Sequence, residues 1–269
     1  MNASADSAAA FRRLHESGCF VMPNPWDVGS ARALASMGFK ALATTSAGFA
    51  WSMGLPDNNV GLDQTLAHLR LLAGAVNLPL NADFQNGFAT QPEEVAANVG
   101  LALQTGVAGL SIEDFSGDPS APLFDLGLAV ERIRAARAAI DDSGTGVVLT
   151  ARSEGFVWDQ PDIDETTRRL SAYAEAGADC LYAPWITSLS HVSAIVAAVS
   201  PKPVNLIIHT PFTTVAEAAR LGVRRISVGG MLAKTAWRGF LDAAKEIAEL
   251  GTFSQFAELP NLNGLLDPS

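Results

Sequence analysis

Cysteine is almost absent. Cys19 and Cys180, the two in 269 residues, are too few for a disulfide framework and stand at no zinc-binding spacing. No run approaches the roughly 18 apolar residues needed to cross a bilayer, which argues against a membrane partner. No G-x-G-x-x-G occurs, so the usual dinucleotide-binding first turn is missing. Basic residues are scarce as well: 18 Lys and Arg face 28 Asp and Glu, a net charge of -10 with histidines neutral. Such a chain repels phosphate backbones, which argues against nucleic acid. The opening MNASADSAAAFRRLHESG has no basic head followed by an apolar run, so a reducing, cytoplasmic location is expected.

Hydrophobic residues are plentiful, at 48% against 17% charged, and mean hydropathy is +0.19. A chain of this size buries roughly three quarters of the surface its unfolded form exposes. One domain over residues 1–269 is expected, with an N-terminal helix near 5–18 and a C-terminal helix and tail over about 230–269.

One rhythm dominates the chain. A helix-like segment ends at a glycine and an apolar run follows at once, at Gly18, Gly38, Gly106, Gly177 and Gly222. Glycine suits a left-handed helix terminus because it has no Cβ to clash there. Three further runs follow Asn77, Gly146 and Pro203. Eight strands are expected, near 19–23, 41–46, 78–84, 109–114, 147–152, 180–185, 204–208 and 225–229. Their continuous apolarity marks strands covered on both faces. Between them lie amphipathic stretches, such as Leu62, Leu66, Leu69 and Leu72 on one stripe and Val130, Ile133 and Ile140 on another. Gln91-Pro92-Glu93-Glu94 is a helix start. Alternating β and α segments imply a parallel sheet, and eight units favour a closed (β/α)8 barrel.

In such a barrel the C-terminal strand ends carry the site, and here they are polar. Strand two runs into Thr44-Thr45-Ser46-Ala47, and Asp57 follows in the next loop. Strand three ends in Asn81-Ala82-Asp83, strand four in Glu113-Asp114 and strand five in Arg152-Ser153-Glu154. Tyr182 lies on strand six, Asn205 on strand seven, and His209 follows it. Asp57, Asp83 and Glu113 form a candidate site for Mg2+ or Mn2+, since hard cations take oxygen ligands, with Arg152 as an anion clamp. His15, His68 and His191 read as surface or packing residues, Cys180 as core, and Glu93-Glu94 and Arg224-Arg225 as solvated faces.

The order TTSAG, GLPDNN, NADFQNGFA, SIED and LTARSE resembles the isocitrate lyase/phosphoenolpyruvate mutase superfamily, over nearly the whole chain. The resemblance implies a (β/α)8 barrel with Mg2+ and an α-keto or α-hydroxy acid. It also implies enolate chemistry and a homotetramer, a dimer of dimers that swap the C-terminal helix. By position, Asp57, Asp83 and Glu113 match the metal carboxylates and Arg152 the carboxylate grip. Thr45, Ser46 and Ala47 match the segment receiving substrate oxygens, and Glu154 an acid behind the arginine. Substrate contacts are expected from Thr45, Ser46, Ala47, Asp83, Arg152, Asn205 and His209, with Asn81, Glu154 and Tyr182 in support.

The departures narrow the activity. The family's D-x-D-T-G-[FY]-G begins here with Asn81, and two extra residues separate Asp83 from Gly87. The loop FSGDPSAPLFDL holds no cysteine, lysine or histidine, so the classical isocitrate and methylisocitrate cleavages are not expected. Trp185 stands where those lyases place a glutamate. The reading is a Mg2+-dependent carbon–carbon lyase or decarboxylase of a small 2-keto, 2-hydroxy or dicarboxylic acid. The alternatives are a phosphonomutase or phosphonopyruvate hydrolase, or a non-catalytic keto-acid binder.

Overall fold

The glycine-punctuated rhythm becomes eight strand–helix units in the computed structural model, which describes residues 3–266. The strands are β1 (Phe20–Met22), β2 (Leu42–Ala43), β3 (Leu80–Asp83) and β4 (Gly109–Glu113). They continue with β5 (Val148–Arg152), β6 (Cys180–Tyr182), β7 (Val204–Ile207) and β8 (Arg225–Ser227). All pairs are parallel, in the order β1-β8-β7-β6-β5-β4-β3-β2. The remaining seam, between β1 and β2, is stitched rather than laddered. Ala43 N–H donates to Pro23 O at 3.1 Å. Asn24 donates to Thr44 O at 2.8 Å and accepts from the N–H groups of Val228 and Gly229 at 2.9 Å. The expected (β/α)8 barrel is the fold.

The glycines do what the rhythm required. Gly18, Gly38, Gly106, Gly177 and Gly222 all have φ between 72° and 104°, beyond the ordinary reach of a residue with a Cβ. Pro92 opens a helix after Gln91. On the helix Leu62–Ala75, Leu66, Leu69 and Leu72 are buried, and on Leu126–Ser143 so are Ile133 and Ile140; Leu62 and Val130 pack at the margin. This outer layer forms the main core. A second apolar cluster fills the barrel's lower interior, where Phe11 of the first helix, α1 (Ala3–Glu16), meets Met22, Ala41, Ala43, Ala108 and Val148.

Two strands, the second and the sixth, end three residues before expectation, the second for a local reason. Strand two stops at Ala43, and Ser46 opens a short helix (Ser46–Ser52), because the Thr45 hydroxyl accepts the Gly48 N–H at 3.2 Å and so caps it. Strand six ends at Tyr182 and not near 185. The C-terminal segment is a helix over Met231–Leu250, closed by left-handed Gly251, and then a tail with a short helix at Leu262–Leu266. Residues 267–269 of the expected tail lie outside the described residues. Only Ala233 of the twenty-residue helix is buried. No helix among the described residues is long and apolar enough to cross a membrane.

The reading of Arg224-Arg225 as a solvated pair is corrected for Arg225, which is 1% exposed. Side chains alternate along a strand, so Ile226 faces the helices while Arg225 and Ser227 face the barrel interior.

Candidate active site

A cavity of ≈ 190 Å³ opens at the C-terminal ends of the strands and runs down into the barrel. Parity decides its walls. Asn81 and Asp83, Ser111 and Glu113, and Thr150 and Arg152 alternate with apolar neighbours that pack outward.

Arg152 is the centre of this arrangement. Its Nη1 donates to Asp83 Oδ1 at 2.7 Å, its Nη2 lies 3.1 Å from Glu113 Oε2, and its Nε donates to Glu154 Oε1 at 2.9 Å. Its guanidinium also stands 5.2 Å from the Tyr182 ring centroid. Burial works against the charge of Arg152, but Glu154, Glu113 and Asp83 outweigh it and hold the side chain protonated. The carboxylates feel the converse. Burial first, and then the neighbouring acids, raise Glu113 well above the ordinary glutamate range, against the pull of Arg152. Burial likewise pushes Glu154 to about 7.

The short helix after β2 aims its first turn at the same group. Ser46 N–H donates to Asp83 Oδ2 at 3.0 Å, and Thr44 Oγ1 accepts the Asp83 N–H at 2.8 Å. Both Asp83 oxygens are therefore engaged. The Thr45 hydroxyl is occupied as the helix cap, while Ala47 lines the cavity. Asp57 comes in from the loop after this helix. Desolvation against the neighbouring walls, and then the charge of Asp83, raise its proton affinity.

Deeper on the wall lie Tyr182, Asn205 and Ser227. Burial raises the Tyr182 phenol, which stays neutral. Asn81 is buried, donates to Ala82 O at 3.2 Å, and leaves its Oδ1 without a partner. At the mouth, His209 packs against Trp185 with ring centroids 4.6 Å apart, and burial lowers its pKa. Trp185 holds φ at 67° and is 49% exposed.

The sequence-derived set is thus brought to one cavity. Arg152, Asp57, Asp83, Thr45, Ser46, Ala47, Asn81, Tyr182, Asn205 and His209 line it, while Glu113 and Glu154 grip Arg152 from behind. The three expected metal ligands do not converge as a chelate: among the described residues no three His, Cys, Asp or Glu side chains share one ion position. Arg152 stands between Asp83 and Glu113 instead.

Sequence reasoning missed Asn24, Trp51, Ser111, Lys234 and Arg225, all of which line the cavity. For Ser111 and Arg225 the signal is strand parity, which only the closed barrel fixes. The loop after β4 contributes nothing to the lining. It closes on itself as a small hairpin, with Phe115 bridged to Leu123 and Ser116 N–H donating to Pro122 O at 2.8 Å.

The chain is similar to several proteins of known structure or activity. The crystal structure of a candidate lyase/mutase from Burkholderia cenocepacia J2315 superposes with a TM-score of 0.95 at 44% identity, covering 98% of this chain and 97% of that one. A 2,3-dimethylmalate lyase structure gives a TM-score of 0.87 at 28% identity, over 97% and 94% of the two chains. Oxaloacetate decarboxylase of Ectopseudomonas mendocina is 27% identical over 88% of this chain and 83% of its own. The profile of the family described as phosphoenolpyruvate phosphomutase matches residues 11–248. With that match across most of its length, the chain belongs to the phosphoenolpyruvate phosphomutase family, within the isocitrate lyase/phosphoenolpyruvate mutase superfamily of lyases and mutases of small keto acids.

Proposed function

We propose that this protein is a carbon–carbon lyase or decarboxylase acting on a small 2-keto or 2-hydroxy acid through an enolate. The observation that carries the reading is Arg152, a half-buried guanidinium on the cavity wall whose ion-pair partners are all carboxylates. An incoming substrate carboxylate takes the Arg152 Nη1 N–H that Asp83 now holds, together with a neighbouring guanidinium N–H, in the paired geometry a guanidinium offers. The keto oxygen then lies at the first turn of the Ser46–Ser52 helix, where Ala47 N–H has no carbonyl of its own helix to reach. When the C–C bond breaks, its electron pair moves onto that oxygen, and aligned N–H dipoles favour the charge. Tyr182, neutral and facing the cavity, is the group placed to return a proton to carbon.

A divalent cation, Mg2+ or Mn2+, belongs to this reading. Asp57, Asp83, Glu113 and Glu154 outnumber the one guanidinium among them, and burial raises three of them, so the donor set has the charge and hardness for such an ion. Asp57, Asp83 and Glu113, which share no ion position while Arg152 stands between Asp83 and Glu113, would hold it only with Arg152 turned to the substrate, and it would supply Lewis-acid polarisation of the keto oxygen. Arg152 competes for the same oxygens, so substrate, by drawing Arg152 away, should tighten Mg2+, and Mg2+ should tighten substrate equally.

The test is a turnover screen of oxaloacetate, substituted malates and phosphonopyruvate, with and without Mg2+. Cleavage of one of the carbon acids, lost at least a thousandfold in Asp83→Ala, is the expected result. Undiminished activity in that variant overturns the site assignment. Lys234 at the cavity mouth, a cation the sequence reading lacked, favours phosphorus–carbon chemistry as the second reading. Phosphonopyruvate turnover by phosphorus NMR would establish it. Tight keto-acid binding with no product from any of them would favour a non-catalytic binder. An oligomer, a tetramer by the resemblance, is part of the proposal.

A further inference from the structure

The barrel interior holds a cation that the chemistry above does not use. Arg225, at the start of β8, is almost wholly buried, and among the described residues it makes no ion pair. Its Nε donates to Asn205 Oδ1 at 2.8 Å and its Nη2 to Thr150 Oγ1 at 3.0 Å, and its Nη1 lies 3.3 Å from His15 Nε2. His15 does not compensate it. Its Nδ1 stands 2.8 Å from Phe11 O, which assigns the proton there and leaves Nε2 to accept from Arg225. Burial and the Arg225 charge lower that ring to about 3, so it is neutral.

An isolated buried charge is costly, and two of the chain's other enclosed arginines avoid that state by pairing with carboxylates. Arg169 pairs with Asp114 and Glu165, Arg152 has its three carboxylates, and Arg132 turns to the backbone carbonyls of Glu113, Asn86 and Ala89. Among these four only Arg132 and Arg225 have no carboxylate partner, and of the two only Arg225, held by Asn205 on the cavity wall, lines the cavity.

Its position gives that charge a use. Arg152, Tyr182, Asn205 and Arg225 are successive register partners across β5, β6, β7 and β8, and all four line the cavity. Barrel strands tilt by about 36°, so a row of register partners descends from rim to floor. Arg152 therefore marks the top of the wall and Arg225 its base. Arg225 also orients the donors between them. With Oδ1 of Asn205 fixed on Arg225, the amide NH2 points to Ser227 Oγ at 3.0 Å and to the cavity beside it.

We propose that the cavity floor is an anion subsite. There Asn205 and Ser227, under the unpaired charge of Arg225, receive the distal carboxylate of a small dicarboxylic acid whose first carboxylate is held by Arg152. Arg225 acts here as a positioning residue that also supplies the field. The inference rests on reading the cavity as an acid-binding site, but not on any bond being broken in it.

The test compares (S)-malate with 2-hydroxybutyrate by calorimetry on the wild-type protein, with NMR confirming that neither is consumed. With the (S) form of 2-hydroxybutyrate, the two acids share configuration and differ only at C4, carboxylate against methyl. Malate is expected to bind at least tenfold tighter, the scale of one charge-assisted contact. Equal affinities, or no binding of either acid, overturn the subsite. Asn205→Asp then places a carboxylate on Arg225 at nearly unchanged volume. It should keep or raise Tm while bringing malate to within threefold of 2-hydroxybutyrate. Arg225→Met should collapse the same gap where it folds. A gap that survives in folded Asn205→Asp refutes the proposal. Because turnover is not read, loss of the lyase assignment and loss of the subsite are separate results.

Discussion

At the scale of single residues, the site is a contest for one guanidinium. Lys at position 152 keeps the charge but loses the paired geometry, so Arg152→Lys should lower kcat/KM by roughly a hundredfold or more with little change in Tm. Arg152→Met leaves Asp83, Glu113 and Glu154 without their cation and should cost roughly 3–5 kcal/mol, measurable by urea unfolding. Glu154 has a separate signature. A carboxylate raised in the fold binds more protons folded than unfolded, so stability falls as pH climbs between its two titrations. For Glu154 that interval runs from the ordinary 4.5 to about 7, and Glu113 adds in the same direction. Glu154→Gln should therefore flatten the decline of Tm across that range; an unchanged slope would show that Glu154 stays ionised. Much of this cluster was legible in the sequence, because acids and an arginine at consecutive strand ends have few other places to converge. Arg225 was not. A charged pair before Ile226 reads as surface until strand parity is known, and parity is a property of the closed barrel.

At the scale of elements, the glycine-terminated helices were legible because the left-handed terminus is a local requirement that tertiary packing rarely overrides. The end of β2 was not, since TTSAG supports either an extended run or a capped helix. What decided it was the Thr45 cap together with the pull of Asp83 on the Ser46 N–H, a contact from 37 residues away. The role of α1 was equally hidden. A helix preceding the first strand can lie anywhere, but here Phe11 enters the barrel base so closely that a Cβ on Gly109 would stand 2.6 Å from its ring. α1 also holds the barrel by Arg12, which pairs with Asp179 at 2.9 Å and donates to Gly146 O at 2.8 Å. Phe11→Ala should destabilise by roughly 3–5 kcal/mol, the cost of emptying a buried aromatic position. It should also loosen His15, and with it Arg225, more than the rim. Malate affinity should therefore fall in that variant while 2-hydroxybutyrate affinity holds. A loss shared equally by both acids would place the effect on global stability alone.

At the scale of the whole molecule, the final helix is out of balance with the rest. Every other long helix buries a face on the barrel, whereas Met231–Leu250 buries only Ala233. Phe240 is 61% exposed and Leu250 71%, and Phe253, Phe256, Leu259 and Leu262 continue the apolar surface beyond Gly251. Exposed apolar surface of this kind makes the segment a candidate interface. The helix begins beside the cavity, where Lys234 lines the mouth and stands 5.4 Å from the Trp51 ring centroid. A groove bounded by Trp51, Leu55, Trp237 and Leu241 continues outward from there. A second copy laying its own terminal segment on this groove would cover the apolar face and narrow the mouth together, joining assembly to acid binding. Light scattering should accordingly give a mass of at least twice 28.2 kDa. Phe240→Asp with Leu241→Asp, both remote from the carboxylate cluster, should shift that mass to the monomer while far-UV circular dichroism keeps the barrel. Acid affinity should drop in the same variant because the mouth opens to water. A wild-type monomer would leave this surface unexplained, and a monomeric variant with wild-type affinity would confine the interface to assembly and separate it from the site.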